Sequence, residues 1–202
     1  QICMSTERIV VDQKIADAFV KQFAAKAAAL PLGDPRKPEP VVLGSVIGMN
    51  MVEHCNALID DALAKGATLL CGGKASNTLM AATVLDHVTP AMRIYHEETF
   101  GPVKCVVRVN GVDEAVACAN DNEYGLSSAV FGADIARAFN VARRIDSGIC
   151  HVNGPTVHDE AQMPFGGVKG SGMGRFGGKA GVAEFTELRW ITLQTTPRHY
   201  PF

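Results

Sequence analysis

Long apolar runs, basic clusters and closely spaced cysteine pairs are all missing from this 202-residue chain. No apolar stretch approaches the roughly 18 residues a membrane-crossing helix needs, so no membrane association is expected. Arg143-Arg144 is the densest basic spot, and 19 basic against 21 acidic side chains leave a net charge of −2. That balance lacks the footprint of a nucleic-acid binder. The six cysteines (Cys3, Cys55, Cys71, Cys105, Cys118 and Cys150) form no C-x-x-C pair, so no structural metal is expected. A chain of this size builds a core without disulfide staples, and the reducing cytoplasm is the expected compartment. No charged-then-apolar stretch is visible in these residues, so no signal peptide is expected within them. An initiator Met is also lacking, and a chain opening at Gln1 is expected to belong to a longer protein.

What is present is 47% hydrophobic and 20% charged, which excludes disorder. Arg8–Val11 is strand-like, and Asp12 can cap a helix carrying Ile15, Phe19 and Phe23, with Ala16, Val20, Ala24 and Ala27 beside them. Pro31–Pro40 holds four prolines and one glycine and must be a loop. A second helix spans about Met51 to Lys65, with Val52, Cys55, Ile59, Ala62 and Leu63 as its apolar stripe and Gly66 to end it. Strands are predicted at Ala67–Cys71, Thr83–Val88, Val103–Val109, Leu126–Phe131 and Gly148–Asn153. Helices are predicted at Val112–Ala119 and at Asp134–Ile145, the latter with Ile135, Phe139 and Ala142 inward. A short helix near Lys179–Phe185 precedes a last strand, Arg189–Thr196. Alternation through Val103–Asn153 favours an α/β fold with parallel crossovers.

Eight of the 20 glycines fall between Gly166 and Gly181. They include Gly172-Met173-Gly174-Arg175-Phe176-Gly177, formally a G-x-G-x-x-G. A dinucleotide fingerprint follows a strand and sits in a βαβ unit, and neither condition is met here. The simpler reading is backbone running where a Cβ would clash. His158-Asp159-Glu160 lacks the cysteines of a zinc deaminase. Cys150 and His151 are adjacent on a strand and face opposite ways. His54, His87, His96 and His199 have no partner at metal spacing and read as surface or loop residues. Cys55, Cys71 and Cys105 sit in apolar patterns and read as core. Cys3 does not. It lies in no periodic pattern, where a thiol can stay exposed to an electrophile. Glu97-Glu98 before Thr99-Phe100-Gly101-Pro102 is an acidic pair at a sharp turn.

Four of these segments together resemble the aldehyde dehydrogenase superfamily, in the family's order. Gln1-Ile2-Cys3 is similar to the end of its G-Q-x-C segment, and Glu97–Val103 to its E-E-x-F-G-P-V motif. Asn120–Leu126 is similar to its N-x-x-x-Y-G-L run. Pro164–Lys169 with Ser171–Arg175 is similar to its P-F-G-G-x-K-x-S-G-x-G-R signature. Arg93-Ile94-Tyr95, Ile149–Glu160 and the ending Pro197–Pro201 further resemble the branch that oxidises aromatic aldehydes. Gly44-Ser45 departs from the superfamily's frequent Gly-Pro, in a loop.

The resemblance implies an α/β catalytic domain over residues 1–188, a mostly parallel sheet flanked by helices, and a C-terminal oligomerisation strand and tail over 189–202. It implies oxidation of an aromatic, salicylaldehyde-like aldehyde to the acid, with NAD or NADP. Cys3 would be the nucleophile, passing through a thiohemiacetal and a thioester, and its backbone N–H one oxyanion donor. Glu98 would hold the nicotinamide ribose and Phe100 would pack beside the nicotinamide. Ile2, Met4, Thr156, Val157, His158 and Phe165 would shape the aldehyde pocket. Family members are dimers or tetramers, so a homo-oligomer is expected. The dinucleotide-binding domain, the general-base glutamate and the second oxyanion donor would lie before the cysteine, outside these residues, leaving the chain inactive alone. Two alternatives stay open: a folded oligomerising module without activity, and a cysteine hydrolase pairing Cys3 with a histidine.

Overall fold

A computed structural model describes residues 1–202. Strand β1 (Arg8–Asp12) runs directly into helix α1 (Gln13–Ala28). Asp12 makes the switch: its backbone is extended, and its Oδ1 accepts the Lys14 N–H at 2.9 Å as the helix cap. Ala16, Val20 and Ala27 are buried, while Phe19 and Phe23 stack with ring centroids 5.6 Å apart beside them. Ile15 is a correction to the sequence reading. It lies off the buried strip and is exposed.

Helix α2 (Met49–Ala64) buries Val52, Cys55, Ile59 and Ala62 as the spacing predicts, and adds Leu58. Leu63, read as part of that stripe, turns to the surface instead. Gly66 follows the helix at φ +98, a left-handed conformation that suits glycine.

The main sheet comprises β1, β2 (Thr68–Cys71), β3 (Thr83–Asp86) and β4 (Val103–Val109), in the order β1-β4-β3-β2. β4 pairs in parallel with β1 and with β3, and β2 joins the edge antiparallel. Alternation in β4 serves two cores. Val103, Cys105, Val107 and Val109 pack with the α2 residues, whereas Val106 packs with Val11, Val84 and the small buried face of α1. Burial on both faces is what a parallel sheet with helices on each side requires.

Beyond β4 come α4 (Val112–Asn120), β5 (Ser127–Val130), α5 (Ile135–Ala142) and β6 (Ile149–Val152); the one-turn helix α3 (Arg93–His96) precedes β4. β5 and β6 pair in parallel with each other and form a separate two-stranded sheet. The parallel crossover favoured for Val103–Asn153 is present in β5-α5-β6, while β4 lies between β1 and β3 in the main sheet. Helix α5 packs on the small sheet through Ala138, with Val141 and Ala142 half-buried. Ile135 and Phe139, expected inward, are 67% and 56% exposed. Two strands are too narrow to cover the whole apolar arc of the helix.

A 3-10 turn (Lys169–Ser171) and helix α6 (Gly178–Glu184) follow. The expected strand Arg189–Thr196 is not formed, and the segment carries no regular structure. A strand exists only through pairing, and no strand of this chain pairs with it.

Candidate active site

The parallel register of β1 and β4 decides which loops meet. Arg8 lies opposite Cys105, so the residues entering β1 and those entering β4 emerge side by side. The first group carries Cys3 and the second carries Glu98 and Phe100. Cys3 is exposed, in a turn closed by the Ser5 N–H donating to the Ile2 carbonyl at 2.8 Å.

Side chains of the same segment anchor that turn. Gln1 donates through Nε2 to the Phe100 carbonyl at 3.0 Å and accepts the Ile47 N–H through Oε1 at 3.0 Å. The Glu7 carboxylate accepts from the Thr99 N–H at 3.0 Å, the Thr99 hydroxyl at 2.8 Å and the Phe100 N–H at 3.2 Å. Phe100 itself sits at φ +48, a conformation that a bulky residue holds only when its surroundings fix it. A Cβ on the following Gly101 would come within 2.7 Å of the Cys55 sulfur, so this loop presses directly on α2.

Glu98 is exposed and its carboxylate bonds no side chain or backbone group of this chain; its carbonyl lies 2.9 Å from His54 Nε2. Loss of water around the carboxyl and the nearby Glu7 charge raise it above the ordinary glutamate value, against the pull of Lys104. A free carboxylate beside a half-buried aromatic ring fits the ribose hydroxyls and flat face of a nicotinamide nucleotide.

The small sheet reaches the same place. Ser127, at the start of β5, donates to the Thr156 carbonyl at 2.7 Å, and the Thr156 hydroxyl meets the Thr6 hydroxyl at 3.0 Å. The loop after β6 is thereby tied to the Cys3 segment. Met4 and Thr156 are half-buried, whereas Ile2, Val157 and His158 are exposed. The ring of His158 stands edge-on to that of His151, centroids 5.3 Å apart, and His151 Nε2 is buried with no hydrogen-bond partner. Phe165 is half-buried and held through its backbone by Phe176, at 2.8 and 2.7 Å; no hydrogen bond joins it to the Cys3 turn. The glycine run follows a 3-10 turn rather than a strand, and its backbone packs tightly: a Cβ on Gly166 would lie 2.5 Å from the Gly174 carbonyl.

Sequence reasoning singled out Cys3, Glu98, Phe100 and Thr156, and the structure brings their segments together. It missed the residues that do the joining, Glu7, Thr6 and Thr99. Their signal was weak: a charged residue at a strand entrance looks like an ordinary surface group. No three His, Cys, Asp or Glu side chains gather as a metal site.

Residues 1–191 match the aldehyde dehydrogenase family. The chain is 58% identical over 201 residues to vanillin dehydrogenase of Pseudomonas fluorescens, covering all of this chain and 42% of that protein. The crystal structure of a salicylaldehyde dehydrogenase from Pseudomonas putida G7, complexed with salicylaldehyde, superposes with a TM-score of 0.94 at 52% identity, over all of this chain and 42% of that one. An NADP-dependent glyceraldehyde-3-phosphate dehydrogenase from Bacillus halodurans C-125, complexed with NADP, gives 0.87 at 37% identity, over 93% of this chain and 39% of that one. The chain thus spans about two-fifths of the length of these relatives (42% for the first). With its motifs, its fold and its Cys3 turn in agreement, the chain belongs to the aldehyde dehydrogenase family.

Proposed function

We propose that these residues are the nucleophile-bearing part of an enzyme that oxidises aromatic aldehydes, of the salicylaldehyde and vanillin type, to carboxylic acids. The observation that carries this reading is the exposed Cys3 turn, bonded on one side to Phe100 through Gln1 and on the other to Thr156 through Thr6.

The Cys3 thiolate adds to the aldehyde carbon, forming a C–S bond and leaving an oxyanion that the Cys3 backbone N–H stabilises. Sulfur suits the step because it is strongly nucleophilic near neutral pH and leaves a thioester that water cleaves. A nicotinamide dinucleotide, NAD or NADP, would supply the acceptor for the hydride that the former aldehyde carbon loses as the thiohemiacetal oxyanion becomes a thioester. Glu98 would hold its ribose and Phe100 would pack beside its ring. Water then hydrolyses the thioester, releasing the acid and restoring the thiol. Ile2, Met4, Val157 and Phe165 offer apolar surface to the aromatic ring, and Thr156 and His158 offer polar groups to its substituents. In this reading residues 1–188 are the catalytic domain, and 189–202 pair with another copy in a homodimer or homotetramer. All six cysteines are free, which suits the cytoplasm.

The test is cofactor reduction by the full gene product with salicylaldehyde, vanillin and benzaldehyde. Turnover with these aldehydes, and a loss of at least about a thousandfold in Cys3→Ala, is expected. Turnover that survives Cys3→Ala overturns the reading. The 202-residue polypeptide alone is expected to give none.

A further inference from the structure

Phe100 is gripped at both ends of its peptide unit by the segment that carries the nucleophile. Its carbonyl accepts from Gln1 at 3.0 Å, and its N–H donates to Glu7 Oε1 at 3.2 Å. The other Glu7 oxygen accepts both the N–H and the hydroxyl of Thr99, at 3.0 and 2.8 Å. Thr99 is 1% exposed, so these donors have no water to turn to. Lys104 Nζ stands 3.6 Å from Glu7 Oε1, a positive partner on the same carboxylate. Three donors converging on one carboxylate from consecutive residues make a rigid bridge, and charge-assisted bonds of this kind are stronger than neutral ones. The bridge ends on the one residue of this loop whose backbone is left-handed, at φ +48.

We propose that Glu7 is a positioning residue for the dinucleotide: it locks Thr99 and Phe100 to the Cys3 segment, so that Glu98 and Phe100 meet the nicotinamide riboside in a fixed place relative to the thiol. The inference rests on the proposed function, since it assumes that a dinucleotide occupies this face. Glu7 touches neither substrate nor cofactor. It acts through the backbone of Phe100. In Glu7→Gln one acceptor becomes a donor, so the amide faces the Thr99 and Phe100 N–H groups with only one oxygen. In Thr99→Val the hydroxyl donor goes but both backbone donors stay.

The experiment uses the full gene product and calorimetric titration with NAD+ and NADP+ without aldehyde. The wild type binds one of them, Glu7→Gln raises that dissociation constant by at least about fivefold, and Thr99→Val raises it less. Iodoacetamide alkylation of Cys3 in cofactor-free protein stays within about twofold of wild type in both. Hydrogen exchange rises in peptides covering 97–103 and not elsewhere. An unchanged dissociation constant in Glu7→Gln overturns the proposal while leaving the function intact. So does faster exchange spread over the whole molecule, which marks Glu7 as a general stabiliser. A wild type that binds neither dinucleotide overturns the function and the proposal together.

Discussion

Arg8 lays its guanidinium carbon 3.9 Å above the ring of Tyr95. The same guanidinium donates to the carbonyls of Cys118 at 2.6 Å and Asp121 at 3.2 Å, and to that of Tyr95. Tyr95 completes the cluster by donating its hydroxyl to Asp121 Oδ2 at 3.0 Å. The first residue of β1 therefore satisfies carbonyls at the end of α4, where a helix has no backbone donors of its own. Arg8→Met would keep some packing but leave the Tyr95 and Asp121 carbonyls unpaired, the Cys118 carbonyl keeping only the Asp121 N–H at 3.3 Å, at a cost of about 2–3 kcal/mol. Arg8→Lys should recover only part, because an ammonium cannot reproduce the planar fork over the ring. Urea midpoints of the three proteins check the order wild type, Lys, Met.

A second arginine sets the acid limit of the fold. Asp86 is 2% exposed and takes Arg108 bidentately, at 3.1 Å from Nε and 2.7 Å from Nη2, while Arg108 Nη1 reaches Asp17 at 2.6 Å. Burial alone would raise the Asp86 carboxyl; the Arg108 guanidinium and the His87 N–H outweigh it and hold the group below the ordinary aspartate value of 3.8. The unfolded chain thus takes up this proton first as pH falls. The stabilisation is complete above the ordinary aspartate value and is lost as pH drops through the depressed one. Asp86→Asn should cost about 3 kcal/mol at neutral pH, near the low end for a broken buried pair because Asp17 still holds Arg108. Stability measured by urea between pH 7 and acid should fall less steeply in Asp86→Asn than in the wild type.

The sequence made some of this visible and concealed the rest for definite reasons. The strict alternation of Val103, Cys105, Val107 and Val109 marks β4, and Asp12 marks its helix start, because both signals are local. The motif residues around Cys3, Glu98 and Gly166 are likewise local strings. Helix α5 shows the limit: periodicity defines an apolar face from Ile135 to Ala142 but not the width of the sheet that will cover it. Glu7 shows it more sharply. Its partner Thr99 is 92 positions away, and only the parallel β1–β4 register brings the two within bonding distance.

The chain's single tryptophan gives a direct reading of the proposed oligomerisation tail. Trp190 is 91% exposed, and Leu188 and Leu193 beside it are equally bare. If residues 189–196 pair with another copy, the emission of Trp190 in the full gene product should be blue-shifted at high protein concentration and move to the red on dilution. Leu193→Asp should hold it red at every concentration, with a smaller sedimentation coefficient. Emission that stays water-like throughout would remove the tail from any interface.

Gly148 stands where the glycine-rich signature docks on the entrance to β6. A Cβ there would lie 1.7 Å from the Gly166 carbonyl oxygen and 3.0 Å from the Gly167 Cα. The contact is backbone against backbone, with no flexible side chain to give way, and the Gly148 and Val168 N–H groups both donate to the Gly125 carbonyl at 2.9 Å. An alanine must therefore push Pro164–Lys169 off the small sheet, and with it the end of the loop that runs from Thr156 to Phe165. Gly148→Ala should cost at least about 3 kcal/mol, the upper range for overpacking, because the clash is with main chain. Activity of the full gene product should fall with it, as the pocket loop loses its lower anchor. Gly44→Ala is the control: the nearest atom to its added Cβ is 3.8 Å away on Pro35, and its stability should stay within about 0.5 kcal/mol of wild type. Equal urea midpoints for the two variants would show that the close approach at Gly148 does not hold the signature in place.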